Sequence, residues 1–119
     1  MLHHVSIEIP PDEADRSLEF WGLLGFDEVE SPEPLGDAVR WLERGGTQIH
    51  LILTEGHTAP VLGHTAVIAP DHAEAKQRLR EAQFIVEEAR QLWGADRAFA
   101  IAPGGHRVEL MAEPPPRST

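Results

Sequence analysis

Apolar and polar residues alternate in short segments of this chain, which is the pattern of β-strands that bury one face. In Thr47–Leu53, one face carries Ile49, Leu51 and Leu53, and the other carries Gln48, His50 and Ile52. Residues 2–9 alternate in the same way and place His4 on the polar face. Each of these two strands is therefore predicted to pack one face in a core and to present an imidazole on the other.

The predicted elements occur twice in the same order, which is a strand, a helix and then three strands. In the first half the expected elements span residues 2–9, 12–24, 26–30, 38–43 and 47–53. In the second half they span residues 63–69, 71–83, 84–89, 97–102 and 106–112. The fold class is therefore predicted to be α+β, with two tandem βαβββ modules that form curved mixed sheets around a metal-binding cup.

The length of 119 residues suits one domain, because two halves of this size would each bury too small a core to be stable alone. A single domain is expected over residues 1–113. Within it, module one spans residues 1–53, a linker spans 54–62 and module two spans 63–113. Residues 114–119 begin with three prolines, which cannot donate backbone hydrogen bonds, and we expect these residues to form a disordered tail.

An internal repeat relates the two halves. Residues 45–51 (GGTQIHL) match residues 104–110 (GGHRVEL), and the match places a glutamate where the first half has a histidine. The opening strands of the two halves also match, each with a histidine at the same place. Three imidazoles and one carboxylate form a donor set that suits a divalent ion such as Zn, Ni, Co, Fe or Mn. The predicted metal ligands are His4, His50, His64 and Glu109.

Three further residues are predicted to contact substrate, and for Gln48 and Arg107 a supporting contact with the metal ligands is the alternative. Gln48 and Arg107 lie two positions before the matched His50 and Glu109, and therefore on the same strand faces. The planar guanidinium of Arg107 suits an anion, although pairing with acidic neighbours is an equally good explanation. Trp93 lies on a predicted loop, where it could form a pocket wall or simply pack.

The other histidines are assigned by strand parity and by position. His3 adjoins His4, and alternation predicts that the two rings lie on opposite faces of the strand, so His4 is the expected ligand. His57, His72 and His106 are predicted to be solvated loop or terminal residues. His106 lies beside the last hairpin, from which it could reach substrate.

Charge and cysteine content narrow the function further. The chain has 20 acidic and 10 basic residues, a net charge of −10, so nucleic acid and membrane surfaces are not expected as partners. It has no cysteine, which excludes disulfides, thiolate metal sites and a cysteine nucleophile. The sequence shows neither a long apolar run nor a signal peptide, and a cytoplasmic location is expected.

Five ordered motifs resemble the vicinal oxygen chelate superfamily, which includes glyoxalase I, fosfomycin-resistance thiol transferases, extradiol dioxygenases and bleomycin-resistance proteins. The motifs are HVSI at residues 4–7, FWGLLGF at 20–26, QIHL at 48–51, GHTAV at 63–67 and RVEL at 107–110. The resemblance covers about residues 2–112. It implies paired βαβββ modules, a metal in the cup, and a homodimer with sites at or near the subunit interface. Its ligand positions fall on the four donors that the repeat selects.

The resemblance implies a metal-dependent lyase or isomerase of glyoxalase type, acting on a small substrate that chelates the ion through neighbouring oxygens. Glu109 is the only carboxylate among the four donors and is therefore the candidate base. The chain has no tyrosine, and residues 102–105 read APGG where many members have an Asp-Pro-Asp-Gly turn. Subfamilies that use a tyrosine hydroxyl are therefore disfavoured.

Two alternatives remain open. His4, His64 and Glu109 form a two-histidine, one-carboxylate set, which suits an extradiol-type dioxygenase or a fosfomycin-type thiol transferase. His50 would then be an acid–base residue beside the metal. A non-catalytic drug- or ligand-binding resistance protein is the third possibility, and such members generally lack the metal donors.

Overall fold

The computed structural model describes residues 1–69 and 71–117; the last two residues of the predicted tail lie outside this part of the chain. The first half contains strands β1 (His4–Ile9), β2 (Asp27–Val29), β3 (Val39–Arg44) and β4 (Thr47–Leu53), and helix α1 (Ala14–Leu23). The second half contains β5 (His64–Ile68), β6 (Val86–Ala89), β7 (Arg97–Ala102) and β8 (His106–Met111), and helix α2 (His72–Glu81). The predicted order of elements is therefore confirmed.

Each half forms one open four-stranded sheet with the same strand order, β1-β4-β3-β2 in the first and β5-β8-β7-β6 in the second. The first and last strands of each half pair in parallel, and the remaining pairs are antiparallel. Both sheets are therefore mixed, and the predicted α+β class with two tandem modules is confirmed.

The strand register repeats as closely as the strand order. His4 of β1 lies opposite Gln48 of β4, and His64 of β5 lies opposite Arg107 of β8. The next positions on the same faces are His50 and Glu109, two residues along their strands. The two sheets therefore carry the four predicted donors at equivalent places.

The chain divides into two compact units. The first contains residues 1–59 together with the short 3-10 turn Pro103–Gly105, and the second contains the rest. The turn is tied to the first unit by a hydrogen bond of 3.0 Å from His57 Nε2 to the Gly104 carbonyl oxygen.

Apolar side chains on the inner strand faces and on one side of each helix form the cores. In the first unit Trp21 of α1 is 1% exposed and makes edge-to-face contacts with Phe20 and Phe26, at ring centroid distances of 5.2 and 5.5 Å. The second unit buries Leu79 of α2 together with alternate residues of β7 and β8. The side chains that remain on the opposite faces of the strands are the polar ones that form the candidate site.

Element boundaries differ from the predictions mainly where prolines occur. Pro11–Glu13 forms a 3-10 turn, so the first helix begins at Ala14 and not at residue 12. The predicted loop before β3 contains 3-10 turns over Glu33–Ala38, with Gly36 at φ 57°. Within the described residues, no helix is long and apolar enough to cross a membrane.

Two histidines predicted to be solvated are buried. His72 is 6% exposed, and its Nε2 donates a hydrogen bond of 3.1 Å to the Leu110 carbonyl oxygen. His106 is 7% exposed at the start of β8. The prediction was wrong because a position at the end of an element does not reveal what packs over it. The hydrogen bond of His72 instead joins the start of α2 to β8, an inner strand of the sheet.

Candidate functional site

In the first unit, His50 lies between two rings. The imidazole stacks on Trp41 at a centroid distance of 3.9 Å and an interplanar angle of 1°, and on His4 at 4.0 Å and 16°. The strand order explains the arrangement, because β4 is flanked by β3, where Trp41 lies directly opposite His50, and by β1, which carries His4. The predicted donors His4 and His50 are therefore in contact.

Gln48 forms a hydrogen bond with the His50 ring. The amide oxygen of Gln48 lies 2.7 Å from His50 Nε2, and its amide nitrogen donates to Glu43 Oε1 at 3.0 Å. Gln48 therefore contacts one of the predicted donors directly, as its position two residues before His50 suggested. An ion bound at His50 Nε2 would replace this hydrogen bond.

The parity argument fails for His3. The Nδ1 atoms of His3 and His4 lie 3.0 Å apart, and the ring of His3 also makes an edge contact with His50 at a centroid distance of 6.4 Å. Alternation applies only inside a strand, and β1 begins at His4. His3 therefore lies with the imidazoles and not on the opposite face with Val5.

Burial, with smaller contributions from His4 and His3, lowers the pKa of His50 below its usual value of 6.5. The neutral imidazole is therefore favoured at pH 7. This is the form that can bind a metal or accept a proton.

The lowered pKa of His50 predicts that the metal-free protein loses stability in mild acid. The unfolded chain takes up a proton near pH 6.5, whereas folded His50 does so only at lower pH. The free energy of unfolding should therefore fall as the pH drops below about 6.5 and level off below the folded pKa. Urea unfolding at pH 7.5 and pH 5, with a chelator present, would measure this change. The decrease should be smaller in His50→Gln than in wild type or in the control His57→Gln; an equal decrease in all three would contradict it.

In the second unit, His64 and Glu109 are in contact. His64 Nε2 lies 3.1 Å from Glu109 Oε1, and His64 Nδ1 lies 2.9 Å from the Leu62 carbonyl oxygen. A carbonyl oxygen can only accept, so Nδ1 carries a proton. If the ring is neutral, the lone pair on Nε2 then faces a carboxylate oxygen. A positive charge, either a proton or a metal ion, is needed between these two atoms.

Arg97 is a site residue that the sequence reasoning missed. Its Nε donates to Glu109 Oε2 at 2.7 Å, and the two side chains are only 11% and 9% exposed. The guanidinium also donates to the Arg90 carbonyl oxygen at 2.6 Å. The available signal was parity, since Arg97 lies two residues before Phe99, which faces Glu109 across β7 and β8. Arg97 holds one oxygen of the carboxylate and leaves the other facing His64.

Trp93 contacts Arg97. The guanidinium carbon lies 5.5 Å from the Trp93 ring centroid, and the indole N–H donates to the Glu113 carbonyl oxygen at 3.1 Å. The predicted pocket-wall residue therefore packs on the cation that holds Glu109.

Arg107 lies on the same strand face as Glu109 and has a different environment from Arg97. Its guanidinium carbon lies 4.3 Å from the Phe99 ring centroid, and its Nε is buried with no hydrogen-bond partner among the described residues. The edge of the His64 ring also contacts Phe99, at a centroid distance of 5.1 Å. Phe99 therefore contacts both the imidazole of His64 and the guanidinium of Arg107.

The four predicted donors come together as two pairs, one in each unit. Among residues 1–69 and 71–117, no group of three or more His, Asp or Glu side chains is placed to hold a metal ion. The second pair nevertheless fits an ion, because two ligands of a zinc-sized ion stand about 3 Å apart and the two donor atoms are separated by 3.1 Å. The hydrogen bond from His64 Nδ1 to a backbone carbonyl is the usual support of a metal-binding imidazole.

Comparison with known proteins places this chain in a family. The sequence profile of the Glyoxalase/Bleomycin resistance protein/Dioxygenase superfamily matches residues 1–117, and the chain belongs to this superfamily. No curated protein sequence matches the chain.

Solved structures of this family share the fold. A Bacillus anthracis protein described as a glyoxalase family member is 24% identical over 93% of both chains, with a TM-score of 0.83. The fosfomycin resistance protein FosX from Listeria monocytogenes is 14% identical over 96% of this chain and 91% of its own, with a TM-score of 0.78. Lactoylglutathione lyase from Agrobacterium tumefaciens is 18% identical over 93% of this chain and 92% of its own, with a TM-score of 0.70.

Proposed function

We propose that the protein is a divalent-metal-dependent enzyme of glyoxalase type, a lyase or isomerase whose small substrate binds the metal through neighbouring oxygens. The observation that carries the proposal is the contact between His64 Nε2 and Glu109 Oε1, two atoms that can both bind a divalent ion and that lie 3.1 Å apart, about the separation of two ligands of one ion. The equivalent pair, His4 and His50, lies at the same register positions of the other sheet. These four residues are the proposed metal ligands.

Each unit supplies two donors, so a complete site requires the two pairs to meet. We expect this to occur in a homodimer, with one pair from each chain, because proteins of this superfamily often dimerise. A Zn, Ni, Co, Fe or Mn ion bound there would polarise the substrate oxygens and stabilise an enediolate.

The proton transfer is assigned to Glu109 and His50. Oε1 of Glu109 faces His64, and Oε2 accepts a hydrogen bond from Arg97. Oε1 is therefore the oxygen that is available for proton transfer. His50 is neutral at pH 7 because burial lowers its pKa, and it can accept a proton. Gln48, Arg107 and Trp93 are the proposed substrate contacts. Of these, Gln48 is bonded to His50, and Trp93 packs on Arg97.

One observation favours a second candidate, a dioxygenase or thiol transferase with His4, His64 and Glu109 as ligands. His50 Nε2 is already bonded to Gln48, and its ring is held between Trp41 and His4. Such an imidazole is well placed to be an acid–base residue beside a metal and less well placed to be a fourth ligand.

Elemental analysis of protein purified without chelators tests the proposal. We expect about one divalent ion per chain in wild type, and a loss of at least 10-fold in metal affinity in His64→Ala with the fold retained by circular dichroism. Turnover of 2-oxoaldehyde–thiol adducts would support the glyoxalase assignment. Iron with oxygen consumption on catechols, or thiol addition to fosfomycin, would support the second candidate. A metal-free wild type that binds ligands without turnover would instead indicate a sequestering protein.

A further inference from the structure

Arg107 is a half-buried cation with no acidic partner among the described residues. Its Nε is buried without a hydrogen bond, and the guanidinium lies over Phe99 at 4.3 Å. By contrast, Arg97 in the same sheet is bonded to Glu109. The lack of an acid is notable because acidic residues outnumber basic ones by 20 to 10.

The position of Arg107 brings this cation to the proposed metal donors. Arg107 of β8 lies opposite His64 of β5, and Glu109 follows two residues later on the same face. The matched residue of the other sheet, Gln48, is bonded to the neighbouring donor His50, whereas Arg107 is not bonded to Glu109. Arg107 therefore does not repeat the supporting role of Gln48.

The contact with the Phe99 ring does not use the N–H groups of the guanidinium. Burying a charged donor without a partner costs free energy, and an oxyanion is the partner whose geometry matches the guanidinium fork. The net charge of −10 would not attract anions to the protein in general, so an anion bound here would depend on this local cation.

We propose that Arg107 is an oxyanion subsite and that the substrate carries a carboxylate or phosphoryl group next to its metal-binding oxygens. The claim that Arg107 binds an oxyanion does not depend on the metal or on the proposed reaction. The claim about the substrate rests on the proposed function.

The first test uses zinc-loaded protein and two ligands that share vicinal oxygens and differ by one carboxylate, catechol and 3,4-dihydroxybenzoate. We expect the carboxylated ligand to bind at least about 10-fold more tightly, as for one charge-assisted hydrogen-bonded contact. In Arg107→Gln this preference should disappear with the zinc content unchanged, and Arg107→Lys should retain part of it. Arg78→Gln, at an exposed position of α2, should behave as wild type. A preference that is absent in wild type, or that survives in Arg107→Gln, would overturn the proposal.

The second test separates the subsite from the metal. Thermal unfolding of chelator-treated protein is measured at constant ionic strength with benzoate, phenylphosphonate or neutral benzamide. We expect at least one anion, and not benzamide, to raise the Tm of wild type and not of Arg107→Gln; the better anion identifies carboxylate or phosphoryl as the preferred group. If neither anion protects wild type, the subsite is refuted whatever the metal analysis shows. A change of oligomeric state in Arg107→Gln without any loss of anion binding would assign Arg107 to a subunit contact and refute the proposal.

Discussion

Replacing Arg97 with methionine should destabilise the protein by about 3 kcal/mol, because it leaves the carboxylate of Glu109 buried without its cation. The side chains of Arg97 and Glu109 are 11% and 9% exposed, so water cannot readily take the place of the lost guanidinium. Equilibrium unfolding in urea would measure the change. It would be a large share of the total, since domains of this size are stable by about 5–15 kcal/mol.

A matched control separates this effect from the loss of any arginine. Arg78 forms an ion pair with Glu74 on the surface of α2, where the side chains are 58% and 51% exposed. Arg78→Met should therefore change the free energy of unfolding by no more than about 0.5 kcal/mol. The double variant Arg97→Met/Glu109→Gln should recover part of the stability lost by the single one. If Arg97→Met is no more harmful than the control, the Arg97–Glu109 pair does not hold the carboxylate in the way described.

The strand pattern and the internal repeat predicted most of the fold and the pairing of the donors. Alternation alone placed His50 opposite the apolar face of β4, and the structure buries Ile49 and Leu51 on the other side. The match between residues 45–51 and 104–110 predicted that Glu109 takes the place of His50, and the registers of the two sheets agree with it. These predictions succeed because side-chain direction in a strand depends only on parity.

The residues that the sequence did not predict depend on tertiary contacts or on strand ends. Arg97 meets Glu109 diagonally across β7 and β8, and that contact requires the register of two strands joined by a turn. His3 precedes β1, so parity says nothing about its direction. His72 is buried, and its hydrogen-bond partner is a carbonyl oxygen 38 residues away in sequence. In each case the deciding partner lies outside the local pattern.

The largest functional effect should come from removing either donor pair. His4→Gln/His50→Gln deletes the pair of the first unit, and His64→Gln/Glu109→Gln deletes the pair of the second. The affinity of each variant for the metal ion should be at least about 100-fold lower than that of wild type, because two of the four proposed ligands are lost. Metal affinity measured by competition with a chromogenic chelator would test this, with His57→Gln as the control histidine outside both pairs.

The two variants together test where the pairs meet. If a site takes one pair from each chain of a homodimer, a mixed dimer of the two variants contains one intact site and one site without donors. Co-expression with two different affinity tags allows that mixed dimer to be purified, and we expect it to hold about half of the wild-type metal content. A site built within a single chain would give no restoration, since every chain in the mixed dimer lacks one pair. Restored metal together with restored turnover would assign the same shared centre to binding and to catalysis, whereas metal without turnover would leave the donors as a binding site only.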